Sequence, residues 1–104
     1  MELKWTEFAI DNLEAYQKSS KKTSQNLTKY YKSLIESINL LPNNPKLGKK
    51  FYFIEDYTVR QLLHNEHRIL YLIEDNTIVV LSLVHTTYPL NEALRFIKGY
   101  ISEL

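Results

Sequence analysis

The residues of this chain that can do chemistry gather in one run, "VRQLLHNEHRILYLIEDNTIVVLSLVHTTY", from Val59 to Tyr88. It carries Arg60, Arg68, all three histidines (His64, His67 and His85) and Tyr88. An arginine set into an otherwise apolar strand, with a histidine closing the next strand, can bind a phosphate and stabilise developing negative charge. The histidine can exchange a proton near neutral pH. These are the parts needed to cut RNA at a 2′-hydroxyl without a metal. The structural alternative is that Arg68 pairs with Glu66 or Glu55 and that His85 merely ends a strand. The histidines lack the close ligand spacing of a zinc site, and His64 and His67 are expected on opposite sides of a turn. No P-loop, GxGxxG or GxSxG is present, so neither metal nor cofactor is called for.

The elements that position these residues read as strands. "FYFI", "VRQLLH", "HRILYLI" and "TIVVLSLVH" are rich in β-branched and aromatic residues. Asn65-Glu66 and Asp75-Asn76 are short enough for hairpin turns. A two-residue turn at Asp75-Asn76 pairs Glu74 with Thr77 and, continued, Arg68 with Leu83. Period two then puts Arg68 and His85 on one face, a diagonal step apart. The same reasoning at Asn65-Glu66 pairs Arg68 with Leu63 and puts Arg60 on the opposite face. A different turn length would exchange these faces. The last strands are apolar on both parities, so both faces of the sheet must be covered, by the chain's own helices and by a tail or partner.

Before the strands the period is helical. "ELKW" is a short strand with Leu3 and Trp5 on one side. Thr6 can cap a helix over roughly 7–18, with Glu7 in its first turn. Thr23 or Ser24 can cap a second, whose stripe is Leu27, Tyr30, Tyr31, Leu34, Ile35, Ile38 and Leu41. Pro42 and Pro45 end it. After Pro89, Asn91 can cap a final helix with the stripe Leu90, Ala93, Leu94, Ile97 and Ile101. The order is α+β: an N-terminal strand, a helical hairpin packed on an antiparallel β-meander of about four strands, and a C-terminal helix.

At 104 residues the chain is long enough for one domain with one core, spanning 1–104. It contains no cysteine, which suits a reducing compartment. The opening "MELKWTEFAIDNLEAYQ" lacks the basic-then-apolar order of a signal peptide, and no apolar run approaches a membrane span. A cytoplasmic location is the expectation. The net charge of +1 conceals an asymmetry. Residues 18–50 hold eight lysines and one acid, Glu36, and so carry +7 against −6 for the remainder. Lys46, Lys49 and Lys50, in and just after the loop, are the candidates for nucleic-acid contact; a solvated surface is the alternative.

In order and length the chain resembles the RelE/ParE superfamily of type II toxin–antitoxin toxins, from "LKWTEFAIDNLEAY" through "LLPNNPKLGKKF" to "LSLVH". The carrying residues are Trp5, Arg60, the run His67-Arg68-Ile69-Leu70-Tyr71, and His85. The resemblance implies a small bacterial or archaeal toxin neutralised by a tight antitoxin. RelE-like members cleave mRNA in the ribosomal A site; ParE-like members poison DNA gyrase. In the nuclease branch Arg68 would hold phosphate, His85 would be the acid/base group and Tyr88 a looser match. The chain departs from that branch in "HTTYPL", where Thr86 and Thr87 cannot hold phosphate charge. Gyrase poisoning and an inactive binding module therefore stay open.

Overall fold

The computed structural model describes all residues 1–104. In chain order the elements are β1 (Glu2–Trp5), α1 (Glu7–Ser19), α2 (Ser24–Asn39), a single 3₁₀ turn (Leu41–Asn43), β2 (Lys49–Ile54), β3 (Tyr57–His64), β4 (His67–Glu74), β5 (Thr77–His85) and α3 (Leu90–Ser102). The four later strands form the expected antiparallel meander. β1 adds a fifth, pairing parallel to β5, so the sheet is mixed with order β1-β5-β4-β3-β2. No helix is long and apolar enough to cross a membrane.

Local chemistry explains most boundaries. The Thr6 and Thr23 hydroxyls accept the Ala9 and Asn26 amides and cap α1 and α2. Pro42 falls inside the 3₁₀ turn that closes α2. The turns Glu55-Asp56, Asn65-Glu66 and Asp75-Asn76 each open on a residue with positive φ, 53°, 50° and 53°, which asparagine and aspartate tolerate well. α3 differs from expectation at its start. Pro89, not Asn91, is its N-cap, and its ring has no acceptor to offer, so no side chain caps the helix.

The sheet is covered on both faces by this chain's own helices. On one side Ala9, Leu34, Ile38 and Leu41 pack on Ile69, Tyr71, Ile78, Val80 and Leu83. On the other Ala93, Ile97 and Ile101 of α3 pack on Val59, Leu70, Leu72, Val79, Leu81 and Val84. Two layers of helix on a central sheet explain why β4 and β5 are apolar on both parities.

β5 carries a bulge. From the turn, Glu74–Thr77, Ile73–Ile78, Leu72–Val79 and Tyr71–Val80 pair as expected, but Leu70 then pairs with Ser82, leaving Leu81 as an extra residue. The groups this frees are met by one stripe of α1. The Thr6 hydroxyl donates to the Leu81 carbonyl at 2.9 Å. Asn12 Oδ1 accepts both the Leu83 amide and the Ser82 hydroxyl, each at 3.0 Å. Ala9, fully buried between them, lets the helix approach.

Candidate functional site

The bulge decides which chemical residues share a face. Beyond it Arg68 pairs with Val84 and His67 pairs with His85. The expected placement of Arg68 and His85 on one face is therefore corrected: they lie on opposite faces, because one extra residue inverts the alternation. Other pairings stand as expected. Arg68 faces Leu63 across β3, and Arg60 pairs with Tyr71 on the other side of the sheet. His64 and His67, expected on opposite sides of their turn, instead face each other as a cross-strand pair.

Arg68 projects on the α3 side, where it donates to Gln61 Oε1 at 2.7 Å. It pairs with neither Glu66 nor Glu55, and its Nε is buried without a partner. Arg60 donates to the Gly48 carbonyl at 2.8 Å. The same loop is held by Tyr71, whose hydroxyl accepts the Gly48 amide and donates to the Pro45 carbonyl, both at 2.8 Å. Burial pushes the Tyr71 phenol above its usual value, so it remains a neutral donor. A Cβ on Gly48 would lie 2.7 Å from the Tyr71 ring, so only glycine permits this approach. The pinned loop and the start of β2 display Lys46, Lys49 and Lys50, all exposed. Lys50 stands opposite Arg60, cation against cation, and neither forms an ion pair. β2 is three strands from β5, about 14 Å at ordinary strand spacing.

His85 belongs to a different constellation, at the end of the sheet that meets the α1–α2 connector. Its Nε2 lies 3.1 Å from Glu66 Oε2, and Lys22 Nζ lies 2.7 Å from Glu66 Oε1. A carboxylate only accepts, so His85 carries its proton on Nε2. Its Nδ1 accepts the Thr87 amide at 3.2 Å and has the Thr87 hydroxyl at 2.8 Å, ready to accept if Nδ1 gains a proton. The Lys22 ammonium, and more weakly His85, hold the Glu66 carboxyl below its usual range; the same bond raises Lys22. These groups line an open cleft of about 580 Å³ with Tyr16, Ser19, Ser20, Lys21 and Thr87.

Behind His85 lies a layer of aromatic and imidazole rings. His67, 2% exposed, has its ring 5.8 Å from His85 and 4.5 Å from Tyr16, edge-on to both. The Tyr30 hydroxyl sits 2.6 Å from His67 Nδ1 and 3.3 Å from the His64 carbonyl. With one proton to give, it gives it to the nearer imidazole. Burial, helped by neighbouring His85, pulls His67 down to about 4, so it is a neutral acceptor. Burial likewise pushes the Tyr30 phenol well up. The Ser33 hydroxyl donates to the Tyr30 carbonyl and accepts from His64 Nε2, so His64 Nδ1 takes the Ser37 hydroxyl proton. Tyr88 joins His85, His67, Tyr16 and Asn12 around a smaller hollow of about 170 Å³. No cluster of three or more His, Cys, Asp or Glu side chains is arranged to hold a metal.

Of the candidate residues, then, His85 and Tyr88 come together, while Arg60, Arg68 and the three lysines lie elsewhere. Sequence reading missed Tyr16, Lys22, Tyr30 and Glu66. Tyr16 and Tyr30 sit at core-facing helical positions and are indistinguishable from packing residues by spacing. Lys22 belongs to a polar connector and Glu66 to a turn, and only folding brings them within 3 Å.

No curated protein matches the chain closely enough to be informative. A family model described as "ParE toxin of type II toxin-antitoxin system, parDE" matches residues 3–87. That span runs from β1 to the residues just past His85, taking in all of the sheet but Glu2 and the whole cleft while leaving out α3. The chain belongs to the ParE toxin family of type II toxin–antitoxin systems.

Proposed function

We propose that this toxin arrests growth by cutting messenger RNA on the ribosome, with His85 as the acid/base group of a metal-independent reaction. In that reaction the 2′-hydroxyl gives up its proton and attacks the adjacent phosphorus. A 2′,3′-cyclic phosphate forms, the P–O5′ bond breaks, and the leaving oxygen takes a proton. The observation that carries the reading is that His85 opens into a cleft beside two lysines, Lys21 and Lys22. Its Nδ1 has a hydroxyl at 2.8 Å through which a proton can be handled. An ammonium near the phosphate offsets the charge of the phosphorane. Lys22 does here what an arginine does elsewhere, since Arg68 is committed to Gln61 on the opposite face. As a type II toxin the chain has a cognate antitoxin for a partner, which must keep message away from this cleft.

A cell-free translation reaction tests the proposal. Wild type should cut message only in the presence of ribosomes. His85→Ala should lose about 100- to 10,000-fold of that rate, the usual range for a positioned acid or base. Arg68→Met, provided it folds, should retain most of it.

Gyrase poisoning is the second reading. It is favoured by the same separation of Arg68 from His85, which puts the expected arginine–histidine pair on opposite faces of the sheet. Intact message with cleaved DNA at gyrase in arrested cells would select it.

A further inference from the structure

Glu66 occupies an unusual position for a carboxylate in a cleft suited to RNA. Both of its oxygens are engaged, one by Lys22 Nζ at 2.7 Å and the other by His85 Nε2 at 3.1 Å. Two nitrogen donors converging on two oxygens of one anion is also how a phosphodiester's non-bridging oxygens are gripped. The main chain around this seat is fixed. The Thr86 amide donates to the Glu66 carbonyl at 2.8 Å, tying the β3–β4 turn to the segment just after His85. The side chain is less constrained. Glu66 and Lys22 are each about one-third exposed, 32% and 33%, and an ion pair of that exposure contributes little net stability. The carboxylate can therefore leave without disturbing the fold, while a phosphate entering beside it would be repelled if it stayed.

We propose that Glu66 is a built-in anion plug: its carboxylate occupies the seat of the substrate phosphate between Lys22 and His85, and RNA enters by displacing it. This deepens the nuclease reading and rests on it for the identity of the phosphate's owner. The consequence is a self-restrained toxin. Its seat is open for only a fraction of the time, and apparent affinity falls by that fraction. A seat closed nine-tenths of the time weakens binding about tenfold. The ribosome, which fixes the message locally, overcomes a handicap that loose RNA in solution does not.

The test uses the full-length free protein with histidine nitrogens labelled for NMR, titrated with inorganic phosphate as the probe. Phosphate should move the His85 Nε2 resonance in the wild type, with weak affinity. Glu66→Gln and Glu66→Ala should bind phosphate about tenfold more tightly. Lys22→Met, which keeps the length of the side chain without its charge, should lose binding. Two substitutions at Glu66 are used so that a folding defect in one does not decide the result. Unchanged or weaker phosphate binding in both would overturn the plug and make Glu66 a positioning residue for His85. Cell-free translation separates the plug from its parent reading. Tighter phosphate binding in the Glu66 variants without message cutting by the wild type keeps the seat and rejects the nuclease. Message cutting by the wild type, with no gain in phosphate binding in the variants, keeps the nuclease and rejects the plug.

Discussion

His67 and His85 are direct cross-strand partners, with ring centroids 5.8 Å apart and planes at 79°. One is buried and held near pKa 4; the other reaches into the cleft. His67 therefore makes stability depend on pH in a definite direction. Its folded pKa lies below the unfolded value of about 6.5, so the unfolded chain takes up the proton first. The contribution is complete above about pH 6.5 and is lost as pH falls toward 4, by at most about 1.4 kcal/mol per pH unit. The groups facing His67 are His85, Glu66, His64, Lys22, Tyr16 and Tyr30. Urea unfolding between pH 7 and 5 should show this slope in the wild type. It should be shallower in His67→Phe, at a cost of about 1 kcal/mol at pH 7 for the lost Tyr30 bond. Parallel slopes in the two proteins would exclude His67 as the source.

Asn12 supports the bulge together with Thr6. Asn12→Ala leaves the Leu83 amide and the fully buried Ser82 hydroxyl without their acceptor. The expected loss is about 1–3 kcal/mol. Since the bulge sets which face His85 occupies, toxicity should fall more than stability alone explains. Measuring growth arrest and the denaturation midpoint together on Asn12→Ala and on Asn12→Asp, which keeps an acceptor, checks this. Full toxicity in a destabilised Asn12→Ala would count against it.

The Gly48–Tyr71 contact should behave as one unit. Gly48→Ala forces a Cβ against the Tyr71 ring and is expected to cost about 1–3 kcal/mol, as overpacking does. Tyr71→Phe removes the bonds to Gly48 and Pro45 and should cost a similar amount. The double variant should lose clearly less than the sum, because neighbouring changes are not additive. Simple additivity in thermal unfolding would mean that the two residues do not act through each other.

Lys46, Lys49 and Lys50 are exposed on a pinned loop and an edge strand, so replacing all three with glutamine should not change the melting temperature appreciably. If they meet RNA phosphates, the slope of log affinity against log salt should fall by about 2, three contacts at about 0.7 each. An identical slope would assign these lysines to a solvated surface.

The sequence by itself determined the kind and order of the elements. Helical spacing from Leu27 to Leu41 and apolar runs in β4 and β5 leave no other assignment. Thr6 announces its cap, Thr23-Ser24 narrows the next to two residues of which Thr23 serves, and Asp75-Asn76 fixes the first pairs of the β4–β5 hairpin. Even the coverage of both faces was legible, because a strand apolar on both parities has no face to offer water.

That same double apolarity hid the site. Val79, Val80, Leu81, Leu83 and Val84 are acceptable on either face, so nothing in β5 marks where the alternation slips. The slip at Leu81 is decided by Thr6 and Asn12, some 70 residues away, whose side chains satisfy the main-chain and hydroxyl groups there. Only tertiary packing could set it, since a bulge is tolerable where its polar groups find partners. From it follow the separation of Arg68 from His85, the pairing of His85 with His67, and the meeting of His85 with Glu66 and Lys22.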